Sequence, residues 1–230
     1  MLVGHLAVGL LGKRVAPAVS LGTLTLAALL ADLSFCLLAI AGLEHVRIVE
    51  PGPTLTSSAV FDLPYSHSLL GGAIAGTLFA SAYAIARGRT RGAWVLLAAV
   101  LSHWLLDVVS HRPDMPLVPN SPPLLGLGLW TSIPATMAAE GGLWLLALAL
   151  YGRITRPSGR AAAYGFWIGV GLITLAWLGN IAGPPPADPS SIGRSSLLFF
   201  TFVVAWAYWM NRTTGGDDQH RDQPRVVRQP

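Results

Sequence analysis

The stretch GAWVLLAAVLSHWLLDVVS, residues 92–110, followed by HRPDMP, residues 111–116, decides how this chain reads. Its first half is an apolar helix in the making, and the whole stretch is long enough to cross a hydrocarbon core of about 30 Å, which needs roughly 20 residues of helix. Its second half interrupts the run with His103, Asp107 and His111, each four residues from the next. Four helical steps turn the chain through about 400°, so the three side chains drift by only about 40° per step and share one face. Pro113 and Pro116 then resist continuation of the helix.

The rest of the chain repeats the apolar half of this pattern. Of 230 residues, 53% are hydrophobic and only 11% charged, and the mean hydropathy is +0.56, outside the range of an ordinary soluble domain. Six runs are long enough to span a membrane: 17–42, 66–86, 92–110, 132–152, 161–181 and 192–211. A further run, residues 2–12, is too short to cross and reads as a half-helix, a re-entrant segment or an interfacial helix. The expected fold is all-α, a polytopic helical membrane protein with about six transmembrane helices plus a short N-terminal half-helix. It forms one membrane domain over residues 1–212. Residues 213–230, TTGGDDQHRDQPRVVRQP, are polar and aperiodic, which predicts a disordered tail. The single cysteine, Cys36, excludes an intrachain disulfide and a thiolate metal cluster.

The net charge of +4 is clustered. Lys13 and Arg14 follow the short first run; Arg87, Arg89 and Arg91 separate the third and fourth; Arg153, Arg156 and Arg160 separate the fifth and sixth; Arg212, Arg221, Arg225 and Arg228 lie at the end. If the chain crosses at each of the six long runs, all of these fall on one side, cytoplasmic by the positive-inside rule. Topology therefore explains the basic residues without nucleic-acid binding. The opposite side carries three proline-rich connections, 43–65, 111–131 and 182–191. Gly72-x-x-x-Gly76 and Gly165-x-x-x-Gly169 offer smooth surfaces for helix packing.

Ionisable groups inside spans cost several kcal/mol on insertion scales, roughly 2.5–3.5 for Asp at a helix centre, so each needs a reason to be there. Here they are Asp32, His103, Asp107 and Glu140, with His5 in the short first run, His67 opening the third run and His111 at the end of the fourth, the short run being counted as the first. With the arginines inside, the direction of each long run puts six of them in the external half of the bundle, and His5 joins them if the short first run begins outside. Imidazole nitrogen and carboxylate oxygen are the usual donors for zinc and its neighbours, with manganese or iron as alternatives. A single helix edge cannot close a coordination sphere, so the other ligands must come from other helices. Arg112 and Asp114 either grip an anionic substrate or pair with each other. Ser66 and Ser68 either contact substrate or cap the helix that follows. His45 and His220, in polar segments, carry no such expectation.

Gly4-His5, Leu30-Ala31-Asp32, Tyr65-Ser66-His67-Ser68-Leu69-Leu70 and Ser102-His103-Trp104-Leu105-Leu106-Asp107 together resemble the YdjM-like family of inner-membrane metal-dependent hydrolases, over roughly residues 1–150. That family is in turn distantly similar to zinc-dependent phospholipase C and P1 nuclease, all-helical phosphodiesterases with three clustered metals. The resemblance implies a phospholipase C/P1 nuclease-like helical core in the inner membrane holding one to three ions. One ion would be held by Asp32, His67, His103 and Asp107, a second between Asp107 and His5, and a third near His111 and Glu140. Two positions depart from the pattern: Thr136 stands four before Glu140 where the family has His, and Ser34 stands where it has a second Asp.

The function expected is that of a metal-dependent hydrolase, a phosphoesterase acting on a lipid or membrane-proximal phosphoester at the external face. Asp32 would orient or deprotonate water, Arg112 would neutralise developing charge, and Ser68 and Asp114 would help bind substrate. The competing expectation is a non-catalytic transporter or scaffold that uses the same residues to bind ions or protons.

Overall fold

Residues 17–42, one apolar run in the sequence, fold as two helices in the computed structural model, which describes residues 1–48 and 54–214. Helix α1 is Leu2–Val15, and the run then divides into α2 (Leu21–Ala28) and α3 (Leu30–Ile40). Ser20 caps α2 by accepting from the Thr23 N–H, while Leu29 leaves helical geometry at φ −101°, ψ 9°. The two halves bend by 56° there. A break of this kind frees carbonyls from the intrahelical ladder, and inside a membrane bundle they must find other partners. The Ala28 carbonyl takes the His103 Nδ1–H at 2.7 Å.

After the hairpin of β1 (His45–Ile48) and β2 (Ala59–Asp62), with the short helix α4 (Leu55–Ser58) between them, come α5 (Leu69–Arg87) and α6 (Thr90–Ser110). Gly88, at φ +62°, ends α5 in the left-handed conformation that glycine adopts without a Cβ penalty, and lets the two helices pair antiparallel. A second hairpin, β3 (Met115–Val118) with β4 (Ser121–Leu125), follows α6. Trp104 on α6 donates its indole N–H to the Pro116 carbonyl and so ties this hairpin to the helix. The chain continues through α7 (Ile133–Thr136), a π-helical stretch Met137–Gly141, α8 (Gly142–Ile154), α9 (Arg160–Ala182) and α10 (Ile192–Thr213). The two antiparallel hairpins lie in the connections of a chain expected to be all-α, and correct that expectation.

Five helices are long and apolar enough to cross a membrane, and the bent α2–α3 pair raises this to six. They correspond to the six runs read from the sequence. Helix α1, with 14 residues, is shorter than a span but is not a surface helix: Val3, Gly4, His5, Leu6, Ala7, Gly9 and Leu10 are buried. Val3, Leu6 and Leu10 join Trp144, Tyr151, Ile173, Val203 and Met210 of α8, α9 and α10 in one core. A second core packs Ala16, Val19, Leu24 and Ala27 against Leu96, Ala99 and Val100 of α6. Outward-facing Leu78, Ile85, Trp94, Leu145, Trp167 and Leu198 are exposed, as side chains turned towards lipid would be.

Of the two glycine pairs, Gly165 and Gly169 both pack closely, whereas Gly76 does so and Gly72 faces open space. A Cβ on Gly169 would meet the Trp206 indole at 2.2 Å, and one on Gly165 would meet Trp209 at 2.3 Å. At one end of the bundle the basic segments gather: Lys13 bonds the Pro17 and Val19 carbonyls and the Asn211 side chain, and Arg89 bonds the Ala18 carbonyl. Helix α10 runs through Thr213, so the segment expected to be tail begins beyond it. Residues 215–230, with His220, and the Pro51-Gly52-Pro53 sequence lie outside the described residues.

Candidate metal centre

Asp107 is the hub of the site. It is buried on α6, one turn after His103, and its two carboxylate oxygens divide the neighbouring groups between them. Oδ2 lies 3.1 Å from His103 Nε2 and 3.6 Å from His67 Nε2. Oδ1 lies 3.0 Å from His5 Nε2, 3.9 Å from His111 Nε2 and 2.5 Å from the Met1 ammonium. Asp32, brought in by the bend at Leu29, completes the first group with Oδ1 3.8 Å from both His67 Nε2 and His103 Nε2. Two sets of three residues, His5–His103–Asp107 and Asp32–His67–His103, hold their donor atoms close enough to share an ion.

The hydrogen bonds on the far side of each ring decide what these nitrogens present. The Ala28 carbonyl can only accept, so His103 carries a proton on Nδ1 and turns Nε2 inward, a bare lone pair in the neutral ring. His111 Nδ1 is held by Asp114 Oδ1 at 3.1 Å. For His67 the chain is longer. Glu44, buried in the connection after α3, accepts the Tyr65 and Ser66 backbone N–H groups, each at 2.8 Å. It also accepts the Ser66 hydroxyl proton at 2.6 Å. The hydroxyl has one proton to give, so at 2.7 Å it accepts from His67 Nδ1–H. His67 Nε2 is then bare as well, and it faces His103 Nε2 at 3.3 Å.

In their neutral forms the two imidazoles and the two carboxylates thus point lone pairs at one another across 3.1–3.8 Å. Without a cation, or a proton on one of the rings, this arrangement is repulsive. A tetrahedral ion with bonds of 2.0–2.2 Å separates its ligand atoms by about 3.4 Å, so the spacing fits the donor set.

Glu140 sits in the π-helical stretch, fully buried. Such single-turn widenings redirect a side chain without ending a helix. Trp130 donates its indole N–H to Glu140 Oε1 at 2.8 Å and lies against His111 with ring centroids 4.4 Å apart and planes tilted by 37°. Glu140 Oε2 and His5 Nδ1 are buried without hydrogen-bond partners among the described residues. A cavity of about 110 Å³ opens beside the cluster, lined by Met1, Asp32, His67, Asp107, His111 and Trp130 and by apolar side chains of several helices.

The other expected site residues are placed differently. His111 is not on the helix but is its C-cap, extended at φ −71°, ψ 157°. Successive residues of extended chain point to opposite sides, so the structure turns His111 to the cavity and does not bring the half-buried Arg112 to its wall. Asp114, expected to contact substrate or Arg112, steadies the His111 ring. Ser68 caps α5: it accepts from Gly71 N–H and donates to the Tyr65 carbonyl. Thr136 donates to the Leu129 and Ser132 carbonyls and Ser34 to the Leu30 carbonyl, so neither hydroxyl stands in for the ligand the resemblance would put there. Glu44 was missed altogether. It lies in a connection without periodicity, and its partners are 21 and 22 residues away.

Set against protein-family models, curated proteins and solved structures, the chain matches none.

Proposed function

We propose that the chain is an integral-membrane, metal-dependent hydrolase, a phosphoesterase with the phospholipase C/P1 nuclease-like arrangement of ligands, acting on a lipid or membrane-proximal phosphoester. The observation that carries this is the pair of inward-turned Nε2 atoms of His67 and His103, 3.3 Å apart and both facing carboxylates. Asp32, His67, His103 and Asp107 would hold one divalent ion, zinc first by donor type and manganese or iron next. His5 and the other oxygen of Asp107 would hold a second, with His111 and Glu140 beside it. A divalent ion bound there supplies Lewis acidity towards a phosphoryl group and lowers the pKa of water towards about 7.

The chain's own residues would do the rest. Asp32 is the most exposed of the donors, 17% against 2–4% for its neighbours, and lines the cavity. It is placed to orient the attacking water and take its proton. Trp130 and Phe61 beside His111 limit water entry. The clustering of basic residues at the end reached by Lys13 and Arg89 supports a cytoplasmic assignment for that end. The site then faces outward, in a plasma or inner membrane.

One observation favours the second reading, a non-catalytic ion-binding or scaffold protein. Thr136 and Ser34, at the two positions where the family has ligands, spend their hydroxyl protons on backbone carbonyls. Metal analysis of the detergent-purified full chain, then phosphoester turnover with Asp32→Asn as control, separates the readings. Stoichiometric metal with turnover that falls in the variant supports the hydrolase; metal without turnover leaves the ion-binding protein.

A further inference from the structure

The last two spans contribute no ligand to the cluster, yet both reach its cavity. Asn180, near the C-terminal end of α9, and Ser196, in the second turn of α10, line it together with Ile192 and Phe200. Neither polar side chain makes a hydrogen bond within the described residues, and both are half-buried. That is unusual for amide and hydroxyl groups within apolar helices. Ser195 and Thr174, on the same two helices, bond their own backbone carbonyls, and Ser196 does not. In an apolar setting an unmatched amide or hydroxyl costs free energy unless a ligand or water satisfies it.

The four lining residues of α9 and α10 are uncharged, two polar and two apolar. The charged and ligating groups, Asp32, His67, Asp107 and His111, line the same cavity from other elements. A phosphoester bound across it would turn its phosphate to the ligand cluster and its alcohol part to α9 and α10. For a quaternary or primary amine the α9 and α10 residues offer no carboxylate and a single aromatic ring, Phe200; the carboxylates of the cavity, Asp32 and Asp107, belong to the ligand cluster. A hydroxyl-bearing alcohol would find one group that both donates and accepts in Asn180, and another in Ser196. The volume, about 110 Å³, is well below the roughly 300–1,000 Å³ of pockets that enclose drug-sized ligands, so only the head of a lipid could enter.

We propose that Asn180 and Ser196 form an alcohol subsite that selects phosphoesters of small hydroxyl-bearing alcohols, such as a glycerol head group, over those of amine-bearing ones. This rests on the phosphoester reading of the cluster.

The test is calorimetric binding to the full-length, zinc-loaded protein in detergent, with glycerophosphoglycerol against glycerophosphocholine. The corresponding phosphatidylglycerol and phosphatidylcholine are compared in mixed micelles. Wild type binds the glycerol ester more tightly in both series. Tighter binding of the lipid than of the soluble diester identifies a membrane substrate, and equal binding identifies a soluble one. Asn180→Leu and Ser196→Ala each cut the preference by about three- to ten-fold, the worth of one hydrogen bond, with metal stoichiometry retained. Asn180→Asp gives choline ester binding a gain that misfolding cannot mimic, because the new carboxylate attracts the quaternary ammonium. Equal affinity of wild type for the two head groups, or a preference that survives all three substitutions, overturns the subsite. Preferential binding without turnover overturns only the hydrolase reading, and metal content of the same samples reports separately on the ligand cluster.

Discussion

His67 and His103 face each other through Nε2 atoms 3.3 Å apart, and the opposite nitrogen of each ring is held by an acceptor. Ser66 holds one and the Ala28 carbonyl the other. The two rings come from segments 36 residues apart, and their tautomers are set by the surroundings before any ion arrives. Such orientation by outer partners is the usual way in which ligating histidines are made ready.

Purified full-length protein is expected to carry stoichiometric divalent metal, and His103→Ala or Asp107→Ala to lose it. Elemental analysis reads this directly. Because metal binds the folded form, chelation should also lower the unfolding temperature, with about 2.7 kcal/mol at stake at a hundredfold excess of metal over Kd. Wild type without metal would sink the metal reading.

Glu44 and Ser66 touch no proposed ion, so their removal tests orientation alone. Ser66→Ala and Glu44→Gln are expected to weaken metal affinity by about 10–100-fold, and Ser66→Thr, which keeps the hydroxyl, to restore it. Chelator competition and the visible spectrum of the cobalt-substituted protein are the readouts. Unchanged affinity in Ser66→Ala would show that the Glu44–Ser66–His67 chain has no such role.

Gly169→Ala should destabilise by about 1–3 kcal/mol, because its Cβ would collide with the Trp206 indole in a packed interface. Gly72→Ala, with nothing within 4 Å of the new Cβ, should stay within about 0.5 kcal/mol. Thermal unfolding in detergent compares the two. Similar losses in both would mean that glycine matters at these sites for something other than close packing.

A reporter fused after Pro122 is expected to be external, and one fused after Arg156 cytoplasmic. The reverse pattern would turn the site to the cytoplasm and change the pool of substrates it could meet.

The spans were legible because desolvation of a long helix is a local property, written in each run of residues. Five of the six runs appear as continuous helical spans with small shifts at their ends. The sixth is broken at Leu29, and neither proline nor glycine marks the place. The candidate ligands were legible for a related reason: a carboxylate or imidazole in an apolar run is costly wherever the run folds. All seven named ligand candidates converge on the Asp107 cluster or stand at its edge. Glu44 stood in a polar connection, where a glutamate costs nothing and so signals nothing.

By itself the sequence determined that the chain is a bundle of helices long and apolar enough to cross a membrane and that His5, Asp32, His67, His103, Asp107, His111 and Glu140 are its anomalous residues. Tertiary structure alone decided which nitrogen each of His67, His103 and His111 turns inward and that Asp107 serves both groups of donors. It also brought Asn180 and Ser196 into the same cavity, and left Arg112 out of its lining. The reason is physical: burial cost is summed along a segment, while hydrogen-bond partnership and the aim of a side chain depend on atoms that other segments bring.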